Sequence, residues 1–209
     1  MNTVKSEEGS TLTINGGTFT CDFGKKWSYT AVILVYGDTT INGGEFIQKT
    51  TNTYSYAKVV MTGKEDGYEA TTKVTGGKFI NEKLSGIFYG LGNATSDNFE
   101  VSGGTFNKYV SDSYMADGYI PVKNADGTYG VKEGKFVAEV GSTGYESFDE
   151  AIAAANASTN SKTVYLRENI TVDHQLVIEN AKGKTITLNL NGFTLTSTYA
   201  INASITNGS

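Results

Sequence analysis

Several residue types are nearly absent from this sequence of 209 residues, which has one cysteine, one proline, one tryptophan and one histidine. The single Cys21 cannot form an internal disulfide, so we expect a small buried thiol. A zinc site of the usual kind is excluded because it needs several His or Cys ligands. The scarcity of proline excludes a collagen helix and a proline-rich linker.

Positive charge is also scarce, and it is not clustered. The net charge is −5, the pI is near 5.0, and Arg167 is the only arginine. Nucleic acid is therefore excluded as a partner, because phosphate neutralisation needs many basic groups. The longest apolar run, "TAVILVYG" at 30–37, has the length of a strand and not of a membrane span, so no membrane insertion is expected.

Glycine and aromatic residues are abundant, with 25 Gly, 13 Tyr and 10 Phe, a composition typical of strands joined by tight turns. The phrase "LTINGGTFT" at 12–20 returns in similar form at 39–47, 72–80 and 99–107. The intervals between the second glycines of these phrases are 27, 33 and 27, and such periods indicate a repeat architecture. Alignment on the glycines gives three columns: Ile14, Ile41, Val74 and Val101; Gly17, Gly44, Gly77 and Gly104; and Phe19, Phe46, Phe79 and Phe106.

These columns predict an all-β fold, a right-handed parallel β-helix with coils of about 27–33 residues. Equivalent residues of successive coils would lie about 4.8 Å apart, with the aliphatic and Phe columns pointing inward and the glycines turning a corner. The six extra residues of the second interval should form a loop at 62–70. Further strands are expected at 30–36, 56–61 and 86–91. The structural rival is an antiparallel sandwich, which does not readily explain the constant register.

After residue 107 the pattern changes to a hairpin and a short helix. The segments "IPVK" and "TYGVKE" flank an Asp126-Gly127 turn. A capping α-helix is predicted near 147–156, with Ser147 as N-cap and Glu150 completing a capping box. Strands then resume. We predict C-terminal β-helix coils in 1–118, a terminating hairpin in 119–135, and a capping helix with the first coils of a following β-helix in 136–209.

The stretch from "GGTFNKYVSDSYMADGYIPVKNADGTYGV" through "GYESFDEAIAAAN" to "KTITLNLNGFTLT" resembles segments of large surface proteins of Gram-positive gut bacteria. In those proteins, modules of the pectate-lyase-like β-helix kind follow one another. The resemblance implies a secreted or wall-attached protein that serves adhesion or surface structure, and it implies no catalytic residues. Both ends of the sequence are expected to continue into a longer protein.

Candidate chemistry is sparse. The acidic segments "KEDG" at 64–67 and "VSDSYMADG" at 110–118 are interpreted as solvated loops in preference to calcium sites. His174 beside Asp173 is interpreted as a histidine on a surface strand and not as part of a catalytic triad, since no nucleophile elbow accompanies it. We therefore assign no catalytic, cofactor-binding or metal-binding residue and expect no cofactor.

Aromatic side chains outside the two inward columns give the better functional lead. Trp27, Tyr29, Tyr54 and Tyr56 are candidates for stacking on sugars or anchoring a protein; the alternative is that they fill the other inward faces or pack under loops. The first hypothesis is a non-catalytic cell-surface stalk or adhesin whose partners are itself, through end-to-end stacking, or a host glycan or protein. The alternative is a carbohydrate-binding module or a lyase-like enzyme that acts on glycans.

Overall fold

The computed structural model describes residues 2–22, 30–50, 56–65, 68–83, 86–179 and 183–203. The chain divides into two compact units, Met1–Glu133 and Gly134–Ser209. The first unit contains these strands: β1 (Asn2–Ser6), β2 (Thr11–Ile14), β3 (Thr18–Cys21), β4 (Thr30–Val35), β5 (Asp38–Ile41), β6 (Glu45–Gln48), β7 (Ala57–Glu65), β8 (Tyr68–Glu69), β9 (Thr72–Val74), β10 (Lys78–Asn81), β11 (Phe88–Gly92), β12 (Phe99–Val101), β13 (Thr105–Phe106), β14 (Tyr119–Lys123) and β15 (Tyr129–Glu133).

The second unit contains one α-helix and eight strands among its described residues. These elements are β16 (Ala138–Val140), β17 (Thr143–Tyr145), α1 (Phe148–Ala157), β18 (Lys162–Leu166), β19 (Ile170–Val172), β20 (Val177–Ile178), β21 (Ile186–Asn189), β22 (Leu195–Ser197) and β23 (Asn202–Ala203). The described part of the first unit also contains two short 3₁₀ helices, Ser96–Asn98 and Asp112–Tyr114.

The predicted fold class is confirmed: the chain is mostly β, with parallel sheets forming a β-solenoid of about six turns and a single short α-helix among the described residues. In the first unit, three sheets are built from corresponding strands of successive coils, in the orders β1-β4-β7-β11, β2-β5-β9-β12 and β3-β6-β10-β13. These pairs are all parallel, so the antiparallel sandwich is wrong.

The side-chain columns form the core of the first unit. Ile14 lies in register with Ile41, which lies in register with Val74 and then Val101. The Phe rings stack up the axis with centroid separations of 5.2 Å, 5.0 Å and 5.2 Å. Three of these rings, those of Phe46, Phe79 and Phe106, are fully buried. The stacking of like residues places apolar surface on apolar surface in every coil.

Above the first coil, each Gly-Gly corner needs its two glycines for different reasons. The second glycine has a positive φ, for example +111° at Gly44 and +106° at Gly77, which a side chain disfavours. The first glycine lies against the coil below: a β-carbon on Gly76 would be 2.5 Å from the Asn42 carbonyl oxygen, and one on Gly103 would be 2.1 Å from that of Thr75. The close approach of stacked backbones therefore explains the first position.

The extra residues of the second interval lie where the sequence predicts them, but the described part of the predicted loop is largely strand. Val35 of β4 pairs with Thr62 of β7, and Thr39 of β5 pairs with Thr72 of β9. The sequence separation between partners is larger in the second pair. The insertion therefore falls between Thr62 and Thr72, whose hydroxyls, 2.5 Å apart, close its base. There β7 continues to Glu65 and pairs antiparallel with β8, and it also keeps its parallel pairing with β11. The extension satisfies backbone groups that a loop would leave to water.

The predicted hairpin is formed by β14 and β15, which pair antiparallel from Tyr119–Glu133 to Lys123–Tyr129. Strand β15 also pairs antiparallel with β13, and Met115 makes a parallel bridge to Val101 of β12. The segment after the last Gly-Gly corner thus covers edges that would otherwise expose backbone N–H and C=O groups.

In the second unit, β18, β19 and β20 pair in parallel with β21, β22 and β23. Lys162 pairs with Ile186 and Ile170 pairs with Leu195. The sequence separation between these partners is smaller than between any register partners of adjacent parallel strands in the described first unit. The predicted coil length of 27–33 is therefore wrong for this unit. At its corner this coil has the tight turn Asn191-Gly192, in which both residues have positive φ, and not a Gly-Gly segment.

Helix α1 packs with β16, β17 and β18 through Phe148, Ala151, Ile152 and Ala155, which are all buried. Ser147 is the N-cap residue, but its side chain makes no capping hydrogen bond, so the predicted capping box with Glu150 is wrong. The first turn is exposed at Asp149 and Glu150, where water can satisfy the amide groups. Both carboxylates also favour the positive end of the helix.

The C-terminal end of α1 is capped by a residue that lies far from it in the sequence. The buried Lys184 donates hydrogen bonds from Nζ to the carbonyl oxygens of Ala155 at 3.2 Å, Asn156 at 2.6 Å and Ser158 at 2.8 Å. A cation at a helix C-terminus interacts favourably with the helix dipole and satisfies carbonyls that lack helical partners. Nothing in the sequence near the helix predicts this contact.

Candidate functional site

Of the four aromatic candidates, only Tyr56 falls within the described residues; Trp27, Tyr29 and Tyr54 lie outside them. Tyr56 is half-buried and packs edge-to-face on Tyr89, with ring centroids 5.7 Å apart. Tyr89 lies on β11, in register with Met61 of β7. Both tyrosines are only partly buried, and accessible aromatic surface is what stacking on a sugar requires.

Tyr36 is a third ring on the outside of the same sheet. A β-carbon on Gly63 would lie 2.2 Å from this ring, so the ring lies directly over the glycine of the next coil. The Lys5 ammonium lies 5.2 Å from the centroid of the same ring, within cation–π range. Tyr36 is thus packed between two coils, which favours a structural role for this tyrosine.

Several outward positions on the other two sheets are occupied by polar and charged residues that bond between coils. Glu45 pairs with Lys78 at 2.9 Å, and Lys73 pairs with Glu100 at 2.9 Å. Both pairs join residues that are direct register partners on adjacent strands. At the corner, Asn42 donates to Asn15 Oδ1 and accepts from the Thr75 hydroxyl, both at 2.8 Å. These groups engage one another along the axis and do not converge on a common point.

Polar side chains also occur inside the first unit. Two residues after Phe46 and Phe79, the buried amides of Gln48 and Asn81 point inward in register with each other. Gln48 Nε2 donates to the Lys58 carbonyl at 2.9 Å, and Asn81 Nδ2 donates to those of Ala57 at 2.9 Å and Gly86 at 3.0 Å. They fasten the connection to the next coil. The sequence signal for them is a polar residue at an inward strand position, which needs a partner.

Cys21 occupies the equivalent position one coil earlier, in register with Gln48. It is fully buried, and burial raises the pKa of its thiol. The sulfur lies 3.8 Å from the Thr50 hydroxyl oxygen. A buried thiol with a raised pKa is a poor nucleophile, which agrees with the expectation of a small core residue.

The second unit contains a cleft of about 370 Å³ that is lined mainly by polar groups. Its walls are the start of α1, at Glu146–Asp149, and the segment 168–174 around β19. Glu168 is held by an ion pair with Lys135. His174 lies in this cleft and not on a strand, since β19 ends at Val172.

His174 contacts two carboxylates. Its Nε2 lies 3.1 Å from Asp149 Oδ1, and its Nδ1 lies 3.1 Å from Asp173 Oδ1. These contacts raise the pKa of the imidazole, through the hydrogen bond with Asp173 above all, and the same hydrogen bond lowers the pKa of Asp173. Sequence reasoning identified Asp173 as a neighbour but missed Asp149, which is distant in sequence and is brought near by the packing of α1.

The acidic segments give no metal cluster in the part of the chain that the structure describes, where no three His, Cys, Asp or Glu side chains are grouped to hold an ion. Asp66 and Gly67 of the "KEDG" segment lie outside the described residues. Asp112 lies in the 3₁₀ helix Asp112–Tyr114 and accepts a hydrogen bond from the Ser111 hydroxyl at 3.2 Å.

Comparison with known proteins adds no assignment, because no family model, curated protein or solved structure matches the chain. Among the described residues, no helix combines the length and the apolar character needed to cross a membrane.

Proposed function

We propose that this chain is a non-catalytic β-helix module of a bacterial cell-surface protein, secreted or attached to the cell wall, where it acts as a stalk or an adhesin. The observation that carries the proposal is the use of outward side chains in the first unit. The Glu45–Lys78 and Lys73–Glu100 pairs and the Asn15–Asn42–Thr75 ladder join each coil to the next. A catalytic centre would need such groups to converge on a reacting atom.

The solenoid architecture and the sequence resemblance support the same proposal. A stack of coils presents side chains at a regular spacing over an extended surface, which suits a spacer or a binding surface. The resemblance of 103–196 to segments of pectate-lyase-like modules in surface proteins of Gram-positive gut bacteria supports the location. An antibody raised against residues 1–209 should label intact cells of the source organism, and labelling only after lysis would contradict the proposed location.

The alternative is a carbohydrate-binding module, and the half-buried Tyr56–Tyr89 pair favours it. A glycan array tests it directly. Binding that is lost in Tyr56→Ala, Trp27→Ala or Tyr29→Ala would support an aromatic platform. The control is Tyr165→Ala, which removes an exposed ring of the second unit. Absence of binding to any glycan would favour the spacer.

A lyase is the enzymatic form of the alternative. It predicts release of unsaturated products from polyuronates, with calcium acting as a charge stabiliser. The non-catalytic proposal predicts that the absorbance of unsaturated products does not rise, with or without calcium. The protein concentration in this assay must be high enough to reveal slow turnover. Calcium-dependent product formation would overturn it.

Self-association is a second function within the same proposal. Strands β1, β2 and β3 stand at the ends of their sheets and pair on one side only among the described strands. Such edges are templates for pairing with another chain, and a head-to-tail contact that does not close gives a filament. Light scattering over a dilution series should show mass rising with concentration. A monomer at every concentration would contradict this second function.

A further inference from the structure

His174 lies between two parts of the second unit that are far apart in sequence. Asp149 is in the first turn of α1, whereas Asp173 is in the segment after β19. Each carboxylate faces one of the two ring nitrogens at 3.1 Å. The imidazole therefore connects the two walls of the cleft that contains it.

The number of protons on the ring decides whether both contacts can exist. An ionised carboxylate only accepts hydrogen bonds, and the imidazolium has two N–H donors. The protonated ring can therefore donate to Asp149 and Asp173 at once. The neutral ring keeps one N–H, so its other nitrogen would present a lone pair to an oxygen lone pair. One of the two contacts must then be lost.

We propose that His174 is a proton-controlled clamp, which holds the start of α1 against the segment after β19 when the imidazole is protonated and releases one wall of the cleft when it is neutral. The wall that is released is the helix start if the remaining proton stays on Nδ1 with Asp173. That outcome is favoured because Asp173 is the adjacent residue and its contact needs no tertiary packing.

The charges around the clamp act in the same direction. Glu146, which precedes the helix, and Glu168, which precedes β19, line the same cleft as Asp149 and Asp173. Glu168 is already neutralised by Lys135. No lysine or arginine is among the described residues that line the cleft, so the imidazolium is the positive group that faces these carboxylates from within it.

The direction of the titrations defines the pH range in which the clamp operates. The pKa of His174 is raised, so its stabilising contribution is complete below the unfolded value of about 6.5 and is lost as the pH rises through the folded value. The pKa of Asp173 is lowered, so its contribution is present above about 3.9 and is lost as the pH falls through its folded value. The clamp is therefore closed in mildly acidic solution and opens toward alkaline pH.

The experiment is a titration of the imidazole nitrogens by NMR, from mildly acidic to alkaline pH, in the wild-type chain and in Asp149→Asn and Asp173→Asn. His174 is the only histidine, so its signals need no assignment by mutation. We expect a lower histidine pKa in both variants than in the wild type. We also expect the backbone amide signals of 148–151 to shift with the histidine pKa in the wild type and to lose that transition in His174→Gln.

Two results would overturn the clamp. One is an equal histidine pKa in the wild type and in Asp149→Asn, which would show that the contact across the cleft has no effect. The other is that, in the wild type, the backbone amide signals at the start of α1 do not shift as His174 titrates. The second result needs no variant, so it decides the matter even if a substitution prevents folding. In Asp149→Asn the amide can donate to the neutral ring, and the helix amides should therefore respond less than in the wild type.

Discussion

At the scale of single residues, the two glycines of a corner carry separate constraints. The second glycine supplies a backbone conformation, and the first provides room for the carbonyl of the coil below. The bottom coil lacks that carbonyl among the described residues: a β-carbon on Gly16 would meet no atom within 4 Å. The same substitution should therefore have different costs at equivalent positions of the repeat.

Gly103→Ala should lower the free energy of unfolding of the first unit by about 1–3 kcal/mol, the usual cost of overpacking, because its β-carbon would lie 2.1 Å from the Thr75 oxygen. Gly16→Ala is the matched control and should change it by about 0.5 kcal/mol or less. Chemical denaturation followed by circular dichroism measures both. Equal losses would mean that stacked carbonyls do not set the requirement.

The Phe column allows a second comparison within one repeat position. Phe79 is fully buried and contacts Phe46, Phe88 and Phe106, so Phe79→Ala should cost about 3–5 kcal/mol. Phe19 is half-buried at the end of the described stack, so Phe19→Ala should cost clearly less. If Phe19→Ala lowered the free energy of unfolding as much as Phe79→Ala, the contribution of a ring would not depend on its burial within the column.

At the scale of elements, the helix of the second unit depends on a residue that follows it by more than 20 positions. Lys184→Met keeps the apolar stem and removes the ammonium that three carbonyls share. We expect the free energy of unfolding of the second unit to fall by about 1–3 kcal/mol, the cost of unsatisfied buried groups. The measurement is the denaturation midpoint of the second unit, which should be lower.

Lys135→Met is the control for this prediction, since it removes a lysine whose ion pair with Glu168 is exposed. Exposed pairs contribute about 0–1 kcal/mol, so its midpoint should move little. A Lys184→Met variant as stable as this control would show that the helix end is satisfied by water.

Helices and strands could be predicted from the sequence where a single pattern, such as a repeated register or one apolar face, determines them. The strands of the first unit follow from a repeated register, and α1 follows from Phe148, Ala151, Ile152 and Ala155 on one face. The antiparallel β7–β8 extension was not predictable, because a polar, Gly-punctuated segment has no periodicity to reveal a strand. The capping box failed because an exposed helix start can use water in place of Ser147.

Contacts that depend on tertiary packing were also beyond the sequence. Asp149 reaches His174, and Lys184 reaches the end of α1, only after the helix has packed on β16 and β18. Neither pair has a characteristic spacing, since 25 and 29 residues separate His174 from Asp149 and Lys184 from Ala155. The candidate aromatics were identifiable by residue type, but their exposure depends on the folded coil.

At the scale of the whole molecule, a single rule explains most of what is observed: chain segments one period apart lie in register and place like residues on like. In the first unit this rule builds the core, the corners and the outward ion pairs. It operates with a shorter period in the second unit, where the Asn191-Gly192 turn replaces the Gly-Gly corner. The proposed surface role depends on it as well, because regular coils are what present side chains at a regular spacing.

Disulfide trapping tests this rule most directly. Thr13 and Thr40 are register partners on adjacent coils, and Lys73 is the partner of Thr40 one coil further. Adjacent strands lie about 4.8 Å apart, within disulfide range, whereas two steps of about 9.6 Å exceed the limit of about 7 Å. In a Cys21→Ala background, Thr13→Cys/Thr40→Cys should form an intramolecular disulfide on mild oxidation, and Thr13→Cys/Lys73→Cys should stay reduced. Trapping of the second pair and not of the first would contradict the stacking of coils.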